Sequence, residues 1–122
     1  SNVYQAVEQE PGVLVALDTE FLAMHNQLEE ALEADWLWRQ HRVCHIHIKD
    51  YDSNLYSTDN FRRYLHPGEG KIDFPQFFDT LRLRGFRGNI SLETSIVNHD
   101  GFRDIHKLKK SLSNLEEWLR NS

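Results

Sequence analysis

Short β-type segments and longer helical patterns alternate along the chain. Val13-Leu14-Val15-Ala16-Leu17 is a continuous, β-branched-rich apolar run closed by Asp18. It predicts a strand covered on both faces, as in a parallel sheet. Leu28, Ala31, Leu32 and Trp36 recur at helical spacing and predict a helix from Gln27 to about Gln40, with Asn26 as its N-cap. Val43 to Lys49 predicts the second strand, and the long polar stretch Tyr51 to Lys71, rich in Asp, Ser, Asn and Gly, predicts a loop. Asp73 is placed to cap a second helix with Pro75 in its first turn, Phe74, Phe77, Phe78 and Leu81 on one side, and Gly85 as its stop. Asn89 to Glu93 predicts the third strand, and Phe102, Ile105, Leu108, Leu112, Leu115 and Leu119 mark a last helix to about Arg120. The first ten residues, which end at Pro11-Gly12, are polar and show no clear period. No repeat, low-complexity tract or linker divides the sequence, so residues 1–122 are expected to form a single domain.

The order strand, helix, strand, helix, strand, helix implies parallel strands joined by right-handed crossovers, an α/β fold. Three such units do not close a barrel and leave sheet edges open. Side chains alternate across a strand, so residues two apart share a face. In the second strand Cys44, Ile46 and Ile48 share one face, and His45, His47 and Lys49 the other. In the first, Val13, Val15 and Leu17 oppose Leu14, Ala16 and Asp18. In the third, Ile90 and Leu92 oppose Asn89, Ser91 and Glu93. If the apolar sets face the helices, Asp18, His47 and Glu93 all point inward, at or near the C-terminal ends of their strands, where parallel α/β folds build active sites.

With 122 residues the chain is long enough for one modest core. Its 39% hydrophobic and 27% charged composition is that of a globular protein. A net charge of −5 argues against a free-standing nucleic-acid binder. No apolar run approaches the roughly 18 residues of a membrane span, and the N-terminus lacks a signal-peptide pattern. A single cysteine, Cys44, excludes an internal disulfide and a cysteine-built zinc site. A cytoplasmic setting is the expectation, with Trp36, Trp38 and Trp118 as packing residues and Cys44 facing the helices.

Two carboxylates buried side by side are costly unless a cation or a proton offsets their repulsion. Asp18, His47 and Glu93 therefore suggest a divalent-metal site of mixed nitrogen and oxygen donors, compatible with Mn²⁺, Fe²⁺, Co²⁺, Zn²⁺ or Mg²⁺. The plainer alternative for each residue is a hydrogen-bonded loop or strand-end side chain.

Several segments together resemble the xylose-isomerase-like TIM-barrel superfamily, which includes sugar-phosphate isomerases and epimerases and an AP-endonuclease family. They are His45-Ile46-His47-Ile48-Lys49-Asp50, Pro67-Gly68-Glu69-Gly70-Lys71-Ile72-Asp73-Phe74, Leu81 with Gly85-Phe86-Arg87-Gly88, and Leu92-Glu93. Leu17-Asp18-Thr19 is similar to that family's strand-end aspartate motif. The resemblance runs from about Val13 to Glu93 and implies the last three βα units of an eight-unit barrel, hence a half-barrel or part of one. It implies that Asp18, His47 and Glu93 are metal ligands and that Glu93 is also a catalytic acid or base for proton transfer beside a metal-polarised carbonyl. A further family glutamate has no counterpart in this sequence, and Phe21 stands where the family often places a histidine, with His25 out of register. The chain also has under half of the roughly 250 residues of a full barrel.

Lys49 and Asp50 resemble the family's Lys-Asp pair and are candidates to bind substrate hydroxyls, the plainer alternative being a strand-end ion pair. Arg62 and Arg63 are candidates for a substrate phosphate or carboxylate, against a solvated loop. His45 is a candidate to support His47, against an ordinary core histidine. The loop glycines are read as turn chemistry that folds the loop over the barrel mouth, and no Ser or Cys carries a nucleophile signature. The reading is a metal-dependent sugar or sugar-phosphate isomerase or epimerase, partnered by the remainder of a barrel or a second copy of the chain. The alternatives are a non-catalytic half-barrel for binding or assembly, and an AP-endonuclease-like DNA repair enzyme.

Overall fold

The computed structural model describes residues 2–93 and 105–121. The elements are α1 (Asn2–Gln9), β1 (Val15–Asp18), α2 (Thr19–Met24), α3 (Leu28–Glu33), α4 (Asp35–Trp38), β2 (Val43–Ile48), α5 (Phe74–Leu83), β3 (Asn89–Leu92) and α6 (Ile105–Asn121), with a 3₁₀ turn at Arg39–His41. The strands form one parallel sheet in the order β1-β2-β3. An open parallel sheet with helices, its chain order alternating β and α, is the α/β architecture expected of part of a TIM barrel.

The outer face of the sheet meets the helices. Ile46 and Ile48 are fully buried there, against Leu17, Phe74, Phe77, Phe78 and Leu81. Phe74 stacks on Trp118 of α6 with ring centroids 5.6 Å apart, so α5 and α6 are joined through aromatic faces. α5 forms where its end signals place it. Asp73 accepts a hydrogen bond from the Gln76 N–H, and Pro75 lies in the first turn. At the other end Gly85 has φ +72°, the Phe86 N–H donates to Leu81 O, and the Gly85 N–H donates to Arg82 O. That paired closure needs a left-handed residue, which glycine supplies without strain.

Five expectations are corrected. The helix expected over residues 27–40 is broken into α3, α4 and the 3₁₀ turn, with Ala34 extended between the first two and Gln40 at φ 58°. The break follows from packing. Leu37 and Trp38 are both buried, Trp38 Nε1 donates back to Ala31 O, and Arg84 Nε donates to Leu32 O at the end of α3. Asn26 is not the cap; Gln27 takes that place and Asn26 has φ 54°. Asn2–Gln9, where no period is evident in the sequence, is helical, with Val7 buried and Tyr4 edge-on to Trp36. β1 begins at Val15 rather than Val13, leaving Leu14 66% exposed, and β2 ends at Ile48 rather than Lys49. Phe102, the start of the expected last helix, lies outside the described residues.

Candidate functional site at the strand ends

Parallel register sets Asp18 beside His47 and His47 beside Ser91, while His45 pairs with Ala16 and Asn89. These residues occupy the sheet face opposite Ile46 and Ile48, so the alternation seen in the sequence holds. Glu93 follows β3 directly, and its N–H donates to Ile48 O, which carries the β2–β3 ladder one step past the strand. The C-terminal ends of all three strands therefore bring Asp18, His47, Lys49 and Glu93 to one place.

Thr19 fastens two of these ends together. It is fully buried, its hydroxyl donates to Lys49 O at 2.6 Å, and the Lys49 N–H donates to the same hydroxyl at 2.9 Å. Replacing Thr19 with valine keeps the volume but leaves both Lys49 backbone groups without their partner. A loss of about 2 kcal/mol is expected, read as a lower urea midpoint at unchanged slope.

Lys49 is the centre of the charge arrangement. Its Nζ lies 2.9 Å from Asp18 Oδ2, 3.4 Å from Glu93 Oε2 and 3.7 Å from Glu20 Oε1. Burial pulls the ammonium pKa down, but the three carboxylates outweigh it and hold it above the ordinary lysine value. Glu20, in the first turn of α2, is itself buried and also receives Arg62 Nη2 from the long loop. Arg62 further lies over the Tyr64 ring at 4.8 Å. Asp18 divides its two oxygens, Oδ1 accepting the Phe21 N–H as N-cap of α2 and Oδ2 facing Lys49.

On the other side of the cluster His47 Nδ1 lies against Glu93 Oε1. The buried Nδ1 has this ionic contact and no hydrogen-bond partner. His45 Nε2 pairs with Ser91 Oγ at 2.9 Å, and the rings of His45 and His47 are 4.6 Å apart. His45 thus stands beside His47 on the inner face, tied to β3.

The expected divalent-ion centre is not what these residues form. Among the described residues no three His, Cys, Asp or Glu side chains converge into a group that would hold an ion. His47 and Glu93 come together, but Asp18 stands across the Lys49 ammonium from them. The charge that the carboxylates require is supplied by a side chain of the same inner face, whose four-carbon stem carries its cation between them. As it stands, the donor set does not fit a divalent ion.

Asp50 is also placed differently from its expected substrate contact. It is fully buried, and its carboxylate accepts the N–H groups of Tyr51, Gly68, Gly70 and Ile72 at 2.8–3.1 Å. It organises the loop that it begins. Gly70 must be glycine there, since a Cβ would lie 2.5 Å from Asp50 Oδ1 and 2.7 Å from Tyr51 O. Arg63 is held by both oxygens of Asp52 at 2.8 Å, within the loop. Of the residues proposed to meet substrate, Lys49 and Arg62 belong to the strand-end cluster, while Asp50 and Arg63 build the loop beside it. Glu20, and the role of Thr19 within the Leu17-Asp18-Thr19 motif, were missed in the sequence; the signal for Glu20 is that it lies in the first turn of a helix that Asp18 caps.

A cleft of about 650 Å³ lies away from this chemistry, between α2, α3 and the start of α5, bordered by Leu28, Leu32, Tyr51, Ile72 and Phe77. A smaller one of about 290 Å³ reaches Asp18 from the side of α2 and α3, bordered by Val15, Phe21 and Leu22. No helix among the described residues is long and apolar enough to cross a membrane.

No curated protein matches the chain at a significant level. The xylose isomerase-like TIM barrel family matches residues 2–121. That span takes in all three parallel strands and the residues at their ends, and the chain belongs to the xylose isomerase-like TIM barrel family.

Proposed function

We propose that this chain carries the proton-transfer residues of a sugar or sugar-phosphate isomerase or epimerase. The observation that supports this reading is Glu93, a carboxylate at the C-terminal end of a parallel strand, in contact with both an imidazole and an ammonium. A carboxylate so placed is suited to take a proton from a carbon next to a carbonyl. Removal of that proton leaves negative charge on the carbonyl oxygen, and a fixed ammonium such as that of Lys49 stabilises charge developing there. Glu93 then returns the proton to the neighbouring carbon while the hydroxyl proton there passes to the former carbonyl oxygen, which gives isomerisation; epimerisation takes a second acid, on the opposite face of the same carbon, to deliver the proton there.

Family membership implies a metal-dependent form of this reaction. The donors would be Asp18, His47 and Glu93, and they could act together only after Lys49 has released Asp18 and Glu93. Arg62, bonded to Glu20 at the edge of the cluster, is the candidate contact for a phosphate or a distal hydroxyl.

The test is incorporation of solvent deuterium. The chain is incubated in D₂O with a panel of aldoses, ketoses and their phosphates, and exchange at the carbon beside the carbonyl is followed by proton NMR. Enzyme-dependent loss of that proton signal for at least one member of the panel is expected. Absence of exchange with every sugar, with and without added Mn²⁺ or Zn²⁺, sinks the reading. A second reading, a half-barrel for binding or assembly, is favoured by a specific feature: among the described residues the outer edges of β1 and β3 are unpaired, and Leu14 and Phe21 near the β1 edge are exposed. Inactivity combined with a stable dimer by sedimentation would select it.

A further inference from the structure

We infer that the Lys49 ammonium is the resident cation of the strand-end cluster, and that a divalent ion is held there only by displacing it. Three observations lead to this. The ammonium lies 2.9 Å from Asp18 Oδ2 and 3.4 Å from Glu93 Oε2, so it takes up oxygens from both carboxylates that a metal would need. The Lys49 backbone is fixed through its N–H and C=O to the buried Thr19 hydroxyl, so the cation cannot be withdrawn by a shift of the strand end; only its side chain can swing away. Glu20, the third carboxylate, is bonded to Arg62 as well, so it keeps a counter-charge when Lys49 leaves. Asp18 and Glu93 are then the two carboxylates set free, next to Nδ1 of His47, which already touches Glu93 Oε1.

A divalent ion bound to those three groups with the ammonium still in place would put like charges within about 4–5 Å of each other, at a partly buried site where screening is weak. Lys49 and the ion therefore compete for the same oxygens. The affinity of the site is set by a lysine that donates nothing to the metal. This holds whether or not Glu93 moves a proton, and the experiment below reads binding and not turnover.

Mn²⁺ is titrated into the chain and the free ion is followed by electron paramagnetic resonance, for the wild type, Lys49→Met and Lys49→Arg. Wild type and Lys49→Arg are expected to bind weakly and alike, and Lys49→Met at least tenfold more tightly, with the gain abolished by adding His47→Ala. Equal affinity of Lys49→Met and wild type overturns the inference, as does tight stoichiometric binding by the wild type. A Lys49→Met chain that folds only when Mn²⁺ is present supports it. If that variant folds under neither condition, Asp18→Asn decides. Having lost its nearest carboxylate, Lys49 should then exchange its ammonium hydrogens with water at least tenfold faster by NMR than in wild type, and an unchanged rate overturns the inference.

Discussion

Asp50→Ala is expected to lower the stability of the chain by at least about 3 kcal/mol, the largest single loss outside the aromatic core. The side chain is fully buried and accepts four backbone N–H groups, from Tyr51, Gly68, Gly70 and Ile72. Alanine removes every acceptor at once and leaves donors that water cannot easily reach. Each unmet donor costs about 1–3 kcal/mol when it stays buried, and local opening of the loop recovers part of the sum. Asp50→Asn keeps one carbonyl oxygen but turns an NH₂ toward N–H donors, so it should fall between wild type and alanine. Chemical denaturation gives the size of the loss. Amide hydrogen exchange gives its place, with Gly68, Gly70 and Ile72 exchanging faster than the sheet. A loss below about 1 kcal/mol would show that the loop holds its shape without the carboxylate.

Glu93→Gln is expected to leave the fold intact and to reduce solvent-deuterium exchange by about 10³-fold, the range associated with loss of a general base. The Glu93 side chain is 40% exposed, so glutamine is accommodated without strain or a buried orphan group. An amide cannot accept the proton, yet it retains the shape of the group and a hydrogen-bonding oxygen. The loss should therefore fall on kcat, with KM little changed. A fall in KM-dependent binding alone, with kcat preserved, would make Glu93 a positioning residue and pass the proton-transfer role elsewhere. Circular dichroism and the urea midpoint guard against misreading an unfolded variant as an inactive one.

The parts legible in the sequence were those fixed by local chemistry. α5 was readable from end to end because its cap, its proline, its one-sided phenylalanines and its terminal glycine all agree. The inward set was readable because strand alternation has a fixed period and the register did not slip where it mattered: Asp18 sits beside His47, and Glu93 continues the ladder past β3. The long helix failed for the opposite reason. Leu28, Ala31, Leu32 and Trp36 keep helical spacing straight across Ala34, and what breaks the chain there is tertiary: Trp38 bonding back to Ala31, and Arg84 reaching across from α5 to Leu32. Lys49 shows a subtler limit. Its face was correct, but a count of alternating faces records the direction in which a side chain leaves the strand and not how far its stem reaches. The need for a cation between the carboxylates was evident from their charge, and a metal and an ammonium answer that need equally well on paper.

Asp18 closes β1 with its backbone, and its one carboxylate both caps α2 and contacts Lys49. Any occupant that rotates this group toward the barrel axis takes Oδ1 away from the Phe21 amide, and the opening turn of α2 loses its anchor. Events at the mouth of the sheet would thus be transmitted outward as release of the Phe21 amide, while Thr19 and the strands themselves stay still. An isotopic label on the Phe21 amide would act as a remote gauge of occupancy.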